Sequence, residues 1–240
     1  MSRKAKHRRT NRYDNNLIHL DNYIQKQVNL IPRNINQEHY IDRLLNPKKI
    51  ITFAIGPAGT GKTMLGVLAA IRALKACKVD RVIVTRPAIG VDNEQHGFLP
   101  GDLNMKMQPW TRPIFDVFQE HYSSKQIKNM IDNNIIEISP LAFMRGRTFK
   151  NAFIIADEMQ NATPNQMKML LTRIGDDSQM VVTGDTQQTD RSRSKNGLID
   201  FSELYTQFGE TNHIAMCFFT NQDIERHPVV KEVLEIYGDK

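Results

Sequence analysis

The sequence predicts an α/β fold: a mostly parallel sheet with helices on both faces. Two observations predict it. Short apolar runs recur at residues 50–55, 81–85, 135–138, 152–156, 179–183 and 214–219, with helical patterns between most of them. Strands that are apolar on both faces and alternate with helices belong to parallel sheets covered on both sides. The first run also leads into GPAGTGKT at Gly56 to Thr63, which opens the helical stretch Met64 to Ile71. A strand, a glycine-rich turn and a helix in that order form the setting of a phosphate-binding loop.

Along the chain, residues 1 to about 30 are polar and Asn-rich and are expected to be poorly ordered. The organisation expected is a basic, flexible arm over 1–33 and a single α/β domain over 34–240. Asn36, Gln37 and Glu38, followed by Tyr40, Ile41, Leu44 and Leu45, predict a capped helix before the first strand. Further helical patterns cover Asn165 to Ile174 and Leu198 to Phe208. Pro87 to Pro113, rich in Pro, Gly and polar residues, reads as a long loop region beside the site.

Composition narrows the class. With 240 residues and 40% apolar content the chain can build a sizeable core. No apolar run approaches the roughly 20 residues of a membrane span. Met1-Ser2-Arg3-Lys4 leads into more charge, so no secretory leader is expected and the predicted compartment is the cytoplasm. Cys77 and Cys217 sit in apolar runs and are expected to be core thiols. The net charge of +6 is matched by Arg3, Lys4, Lys6, Arg8, Arg9 and Arg12, all ahead of the first acid, Asp14. Such an arm suits either nucleic-acid phosphates or a solvated tail.

The loop's chemistry follows from its residues. Gly56, Gly59 and Gly61 let the backbone turn its N–H groups toward phosphate oxygens, with Pro57, Ala58 and Thr60 completing the cradle. The N-terminus of the following helix adds partial positive charge at the same spot. Lys62 can reach the β- and γ-phosphates, and the Thr63 hydroxyl can ligate Mg2+. A second strand, Phe153 to Ala156, ends in Asp157-Glu158-Met159-Gln160. Asp157 is expected to hold Mg2+ through a water, and Glu158 to orient or deprotonate the attacking water. A third strand ends in Gly184-Asp185-Thr186-Gln187-Gln188. Gln188 is a candidate γ-phosphate sensor. The expected ligands are therefore ATP and Mg2+.

In series with these motifs stand Thr85-Arg86-Pro87, Gly97-Phe98-Leu99-Pro100-Gly101, Met144-Arg145-Gly146-Arg147-Thr148, Gln166-Met167-Lys168-Met169, Leu171-Thr172-Arg173-Ile174-Gly175 and Arg226-His227-Pro228. In order and spacing the set resembles the PhoH family of ATPases, related to the ATPase core of superfamily 1 helicases, over Asn34 to Tyr237. The resemblance implies a RecA-like P-loop NTPase fold, ATP hydrolysis, a role on single-stranded nucleic acid (foremost RNA) and a homo-oligomeric ring, hexameric by expectation. Asn93 before Glu94, Ala156 before the acidic pair and Asn196 before Gly197 depart from the usual family pattern. No long segment follows Arg226-His227-Pro228, so the nuclease domain fused in some relatives is not expected and ribonuclease activity is not carried over.

Phosphoryl transfer benefits from a cation at the developing γ-phosphate charge. Superfamily 1 helicases take it from a second RecA-like domain, for which this chain has no room. A neighbouring subunit is the expected donor, and head-to-tail contacts of that kind close into rings. The candidates are Arg145, Arg147, Arg173 and Arg226; for each, a surface salt bridge or an RNA-phosphate contact is the competing reading. Gln37 precedes the first strand much as the adenine-reading glutamine does in helicases, and the resemblance makes it a candidate adenine reader. His227 reads as structural. Trp110 and Phe98 can stack on bases or pack. Two other classes stand beside the nucleic-acid ATPase: a nucleotide-dependent switch or assembly factor acting on a protein partner, and a small-molecule phosphotransferase. The GDTQQ and DEMQ motifs disfavour the last.

Overall fold

The computed structural model describes residues 28–87, 103–188 and 196–225, together with Val229 and Ile236. Asn93, Glu94, Phe98, Arg226, His227, Pro228, most of the basic arm and the side chain of Trp110 lie outside them.

Six strands form one sheet in the order β3-β2-β4-β5-β1-β6. They are β1 (Ile51–Ile55), β2 (Arg81–Thr85), β3 (Ile136–Ile138), β4 (Ala152–Ala156), β5 (Gln179–Gly184) and β6 (Ile214–Phe218). Every pairing is parallel, with Ile51 opposite both Met180 and Ile214, and Thr85 opposite Ala156. Strand β5 lies between β1 and β4, the RecA-like arrangement. Around the sheet lie α1 (Ile35–Leu45), α2 (Lys62–Lys75), α3 (Leu103–Gln119), α4 (Ser124–Asp132), α5 (Pro164–Leu171) and α6 (Gly197–Phe208).

Alternation along each strand divides the core in two. Ala54, Val84, Phe153, Ile155 and Val181 pack with Tyr40 of α1, Leu65 and Ile71 of α2, Phe118 of α3 and Ile127 of α4. Phe53, Ile55, Ile83, Ile154 and Val182 pack on the opposite face with Met167 and Leu170 of α5 and Leu198 of α6. Both faces are covered, as the two-sided apolar strands predict. Phe53 is wholly buried, its ring stacked 4.8 Å from that of Phe201. Burying such a side chain contributes about 1.5–3 kcal/mol.

The capped helix expected before β1 is present from Ile35, with the Asn34 side chain accepting from the Gln37 N–H. Several local expectations need correction. Residues 103–113 are helical rather than loop: α3 runs through Pro109 and Pro113. Its buried residues Ile114, Val117 and Phe118 keep helical spacing against α2, and that packing overrides the proline signal. The short helix α4, announced by a Ser123–Gln126 capping box, was not among the expected elements. Helix α5 ends at Leu171, not Ile174, and the Thr172 hydroxyl donates back to the Lys168 and Met169 carbonyls. The next turn must bring Gly175 against Phe149, where a Cβ would lie 2.6 Å from the Phe149 oxygen. Of the cysteines expected in the core, Cys77 is exposed in a left-handed turn, while Cys217 on the edge strand is half-buried against the core. Asn196, the departure from the family pattern, caps α6 by accepting from Leu198 and Ile199, as a serine would.

Helix α1 is tied to the segment after β6 by a buried carboxylate. Both oxygens of Asp223 accept from Asn36 Nδ2, at 3.0 and 2.9 Å, and one accepts from the Thr220 N–H and hydroxyl. Burial pushes the Asp223 pKa up, but these hydrogen bonds outweigh it and hold it below 3.8. A depressed carboxyl pKa adds stability above the unfolded-state value, and that stability disappears as pH falls through the folded-state value. Asp223→Asn is therefore expected to lower the unfolding free energy by about 1–2 kcal/mol at pH 7. Urea titrations across pH should show the gap between wild type and variant closing below about pH 4.

Candidate nucleotide and metal site

The loop Gly56 to Gly61 leaves the C-terminal end of β1 and turns directly into α2, whose N-cap is Gly61 at φ +80°. An L side chain is strained in that backbone conformation. Gly56 is needed for close approach, since a Cβ there would lie 2.4 Å from the Phe219 oxygen. The Thr60 hydroxyl donates to the Pro57 carbonyl at 3.0 Å and fixes the turn. Among the described residues, no acceptor meets the N–H groups of Gly59, Gly61, Lys62 or Thr63. These donors sit at a helix N-terminus, which is the arrangement that takes an anion. Lys62 is buried and donates from Nζ to the Pro57 carbonyl at 2.6 Å and to the Thr60 hydroxyl at 3.3 Å. Both acceptors are neutral, so an anionic oxygen would be a stronger partner. Burial lowers the Lys62 pKa, and the nearby Asp185, Asp157 and Glu158 carboxylates partly offset this.

Three neighbouring strands meet at Asp157. Its Oδ1 accepts from the Thr63 hydroxyl at 2.8 Å and from the Thr183 hydroxyl on β5. Asp157 itself follows β4 and is buried. The sequence-predicted metal pair, Thr63 and Asp157, is thus in direct contact. A hydroxyl and a carboxylate are hard oxygen ligands of the kind Mg2+ takes, with phosphate oxygens and water completing its shell. No group of three or more His, Cys, Asp or Glu side chains among the described residues forms an all-protein metal cage.

Glu158 adopts the left-handed conformation, φ +56° and ψ +37°. This is uncommon for a non-glycine residue and costs about 1 kcal/mol or more. Its carboxylate is held from two sides. Arg86, just beyond β2, approaches Oε1 at 3.7 Å, and Gln160 Nε2 donates to Oε2. Gln160 also donates to the Gln188 carbonyl at 3.2 Å, while its Oε1 accepts from the Asp185 N–H at 3.1 Å. The Gln188 side chain is exposed, and its connection to the site runs through its backbone carbonyl.

Gln37 lies beside the loop with its amide engaged by backbone at both ends. Nε2 donates to the Thr60 carbonyl at 3.1 Å and Oε1 accepts from the Arg33 N–H at 2.8 Å. In this geometry it braces the loop, and one N–H and one lone pair remain for an adenine edge. The segment after β6 braces the other side, through the Glu225 N–H and the Gly59 carbonyl at 3.0 Å.

The arginines are not gathered at this site. Arg147 makes a two-point ion pair with Glu137 of β3, one contact at 2.9 Å, and lies over the Phe149 ring at 4.6 Å. Arg173 donates to the Arg147 carbonyl at 3.3 Å. Strand β3 is four strands from β1, about 19 Å at ~4.8 Å per strand. While so engaged, Arg147 does not reach a phosphate on its own loop. Arg145 is exposed beyond the 3₁₀ turn Leu141–Met144, and Arg226 lies outside the described residues.

Sequence reasoning passed over Arg86, Gln160 and Thr183. All three lie within motifs of the family-like series, with no role assigned to them by the sequence.

The PhoH-like protein family matches residues 29–238. The chain belongs to that family. A PhoH-like protein of Synechocystis is 44% identical over 206 residues, 85% of this chain and 61% of that protein. The PhoH-like protein of Bacillus subtilis is 41% identical over 206 residues, 85% and 63% of the two chains. Protein PhoH of Escherichia coli K12 is 40% identical over 212 residues, 87% and 58%. The chain thus spans about three-fifths of the length of these relatives. The PhoH-like assignment agrees with the P-loop, the parallel sheet and the strand order. Among the described residues no helix is long and apolar enough to cross a membrane.

Thr183→Val keeps the shape and removes one of the two hydroxyls on the buried Asp157 carboxylate. It is expected to lower stability by about 1–3 kcal/mol at pH 7, read by urea denaturation. An unchanged midpoint would mean that the Thr183 contact contributes nothing.

Proposed function

We propose that this PhoH-like chain binds ATP with Mg2+ at the Gly56–Thr63 loop, hydrolyses it, and couples hydrolysis to binding or remodelling single-stranded nucleic acid, with RNA the first candidate. The observation that carries this reading is the direct Thr63–Asp157 contact, which joins the phosphate loop to the acidic pair. In the proposed site the free N–H groups of the loop and Lys62 hold the phosphates, and Thr63 and Asp157 hold the metal. Bound Mg2+ would neutralise charge on the β- and γ-phosphates. Glu158, one residue on, orients a water toward the γ-phosphate and accepts its proton.

The active unit in this reading is a head-to-tail ring, hexameric by expectation, in which a neighbour supplies an arginine. Arg145 is the best placed of the described candidates, being exposed beside Gly146, whereas Arg147 and Arg173 are engaged within the chain. The nucleic-acid partner rests on the family resemblance and on the six basic residues ahead of Asp14.

Steady-state hydrolysis by purified protein, with and without single-stranded RNA and with sizing of the same sample, tests the proposal. Turnover stimulated by RNA is expected. Lys62→Ala should abolish it, and Glu158→Gln should keep nucleotide affinity while lowering kcat by roughly 100-fold or more. Nucleotide binding with no RNA response would favour a switch acting on a protein partner.

A further inference from the structure

We infer that Arg86 is a positioning residue for Glu158, acting through it rather than on the nucleotide. This inference rests on the hydrolase reading above and deepens it.

Three observations converge. Glu158 sits in a left-handed backbone conformation that few non-glycine residues adopt, so local preference alone does not set its direction. Residues held in such conformations persist where their surroundings over-determine them, and they cluster at functional sites. Here the surroundings are explicit: Arg86 at 3.7 Å on Oε1 and Gln160 on Oε2. The two holders also come from different elements. Arg86 follows β2, which lies beside β4, with Thr85 opposite Ala156 and the Asp157 N–H donating to the Thr85 carbonyl at 3.0 Å. That pairing brings Arg86 alongside Glu158. Gln160 is fixed in turn by the Asp185 N–H and the Gln188 carbonyl beyond β5.

A base must lie within hydrogen-bond reach of the water it activates. With a guanidinium 3.7 Å from one oxygen and an amide donating to the other, the carboxylate is drawn toward one orientation and spare lone pairs remain for that water. Without Arg86, one side of the carboxylate is unrestrained. A misplacement of about 1 Å in such a group can cost up to 100-fold in rate.

Single-turnover hydrolysis at enzyme excess, which reads slow rates, tests the assignment in a double-mutant cycle. Arg86→Ala is expected to lower the hydrolysis rate about tenfold or more while ATP affinity changes less than about twofold. Arg86→Lys, which keeps the charge, should recover part of the rate. In a Glu158→Gln background, Arg86→Ala should have almost no further effect, because its route to the reaction is already gone. Equal rate losses in both backgrounds, a matching loss of ATP affinity, or a faster Arg86→Ala protein would each overturn the assignment. Failure of the hydrolase reading would look different: wild type itself would show no turnover sensitive to Lys62→Ala.

Discussion

The Oδ1 atom of Asp157 accepts from Thr63 at the start of α2 and from Thr183 on β5, and through it three neighbouring strands converge on one point. The contact depends on sheet order. With β5 between β4 and β1, the residue after β4, the hydroxyl near the end of β5 and the first turn of the helix after β1 all reach the same space. Parallel pairing sends every strand toward this edge, which is why ligands of such sheets bind there. The buried carboxylate accepts two hydroxyl hydrogen bonds and faces a loop rich in free N–H donors. The site is polarised before any ligand arrives.

Around that point the charges are arranged in opposition. Asp157, Glu158 and Asp185 lie close enough to act on Lys62, the one buried lysine of the loop. These carboxylates would repel a polyphosphate, and the loop's N–H groups, Lys62 and the Arg86 guanidinium beside Glu158 oppose that repulsion. The loop is braced from outside by Gln37 and by the backbone of Glu225, and these two supports are joined by the Asn36–Asp223 contact. Elements at opposite ends of the described chain thereby bear on one turn.

What the sequence made legible is what local chemistry dictates. GPAGTGKT could be read because its glycines, its lysine and its following helix satisfy requirements within eight residues. The strands could be read because burial on both faces leaves continuous apolar runs. The contacts of Arg86 and Gln160 could not: Arg86 meets Glu158 across neighbouring strands, and Gln160 meets Asp185 and Gln188 more than twenty residues on. Helix α3 was misread because its prolines spoke more loudly than its buried Ile114 and Phe118. Among the arginines, spacing alone could not reveal that Arg147 is committed to Glu137.

The central claim is that Asp157 and Thr63 form a divalent-cation site that makes nucleotide binding possible. Calorimetric titration of ATP into the protein, with and without Mg2+, in wild type and in Asp157→Ala, addresses it most directly. The account requires ATP binding that tightens markedly with Mg2+ in wild type, and an Asp157→Ala protein that folds but has lost that tightening. Equal affinity with and without Mg2+ in wild type, or full Mg2+ dependence retained in Asp157→Ala, would contradict it.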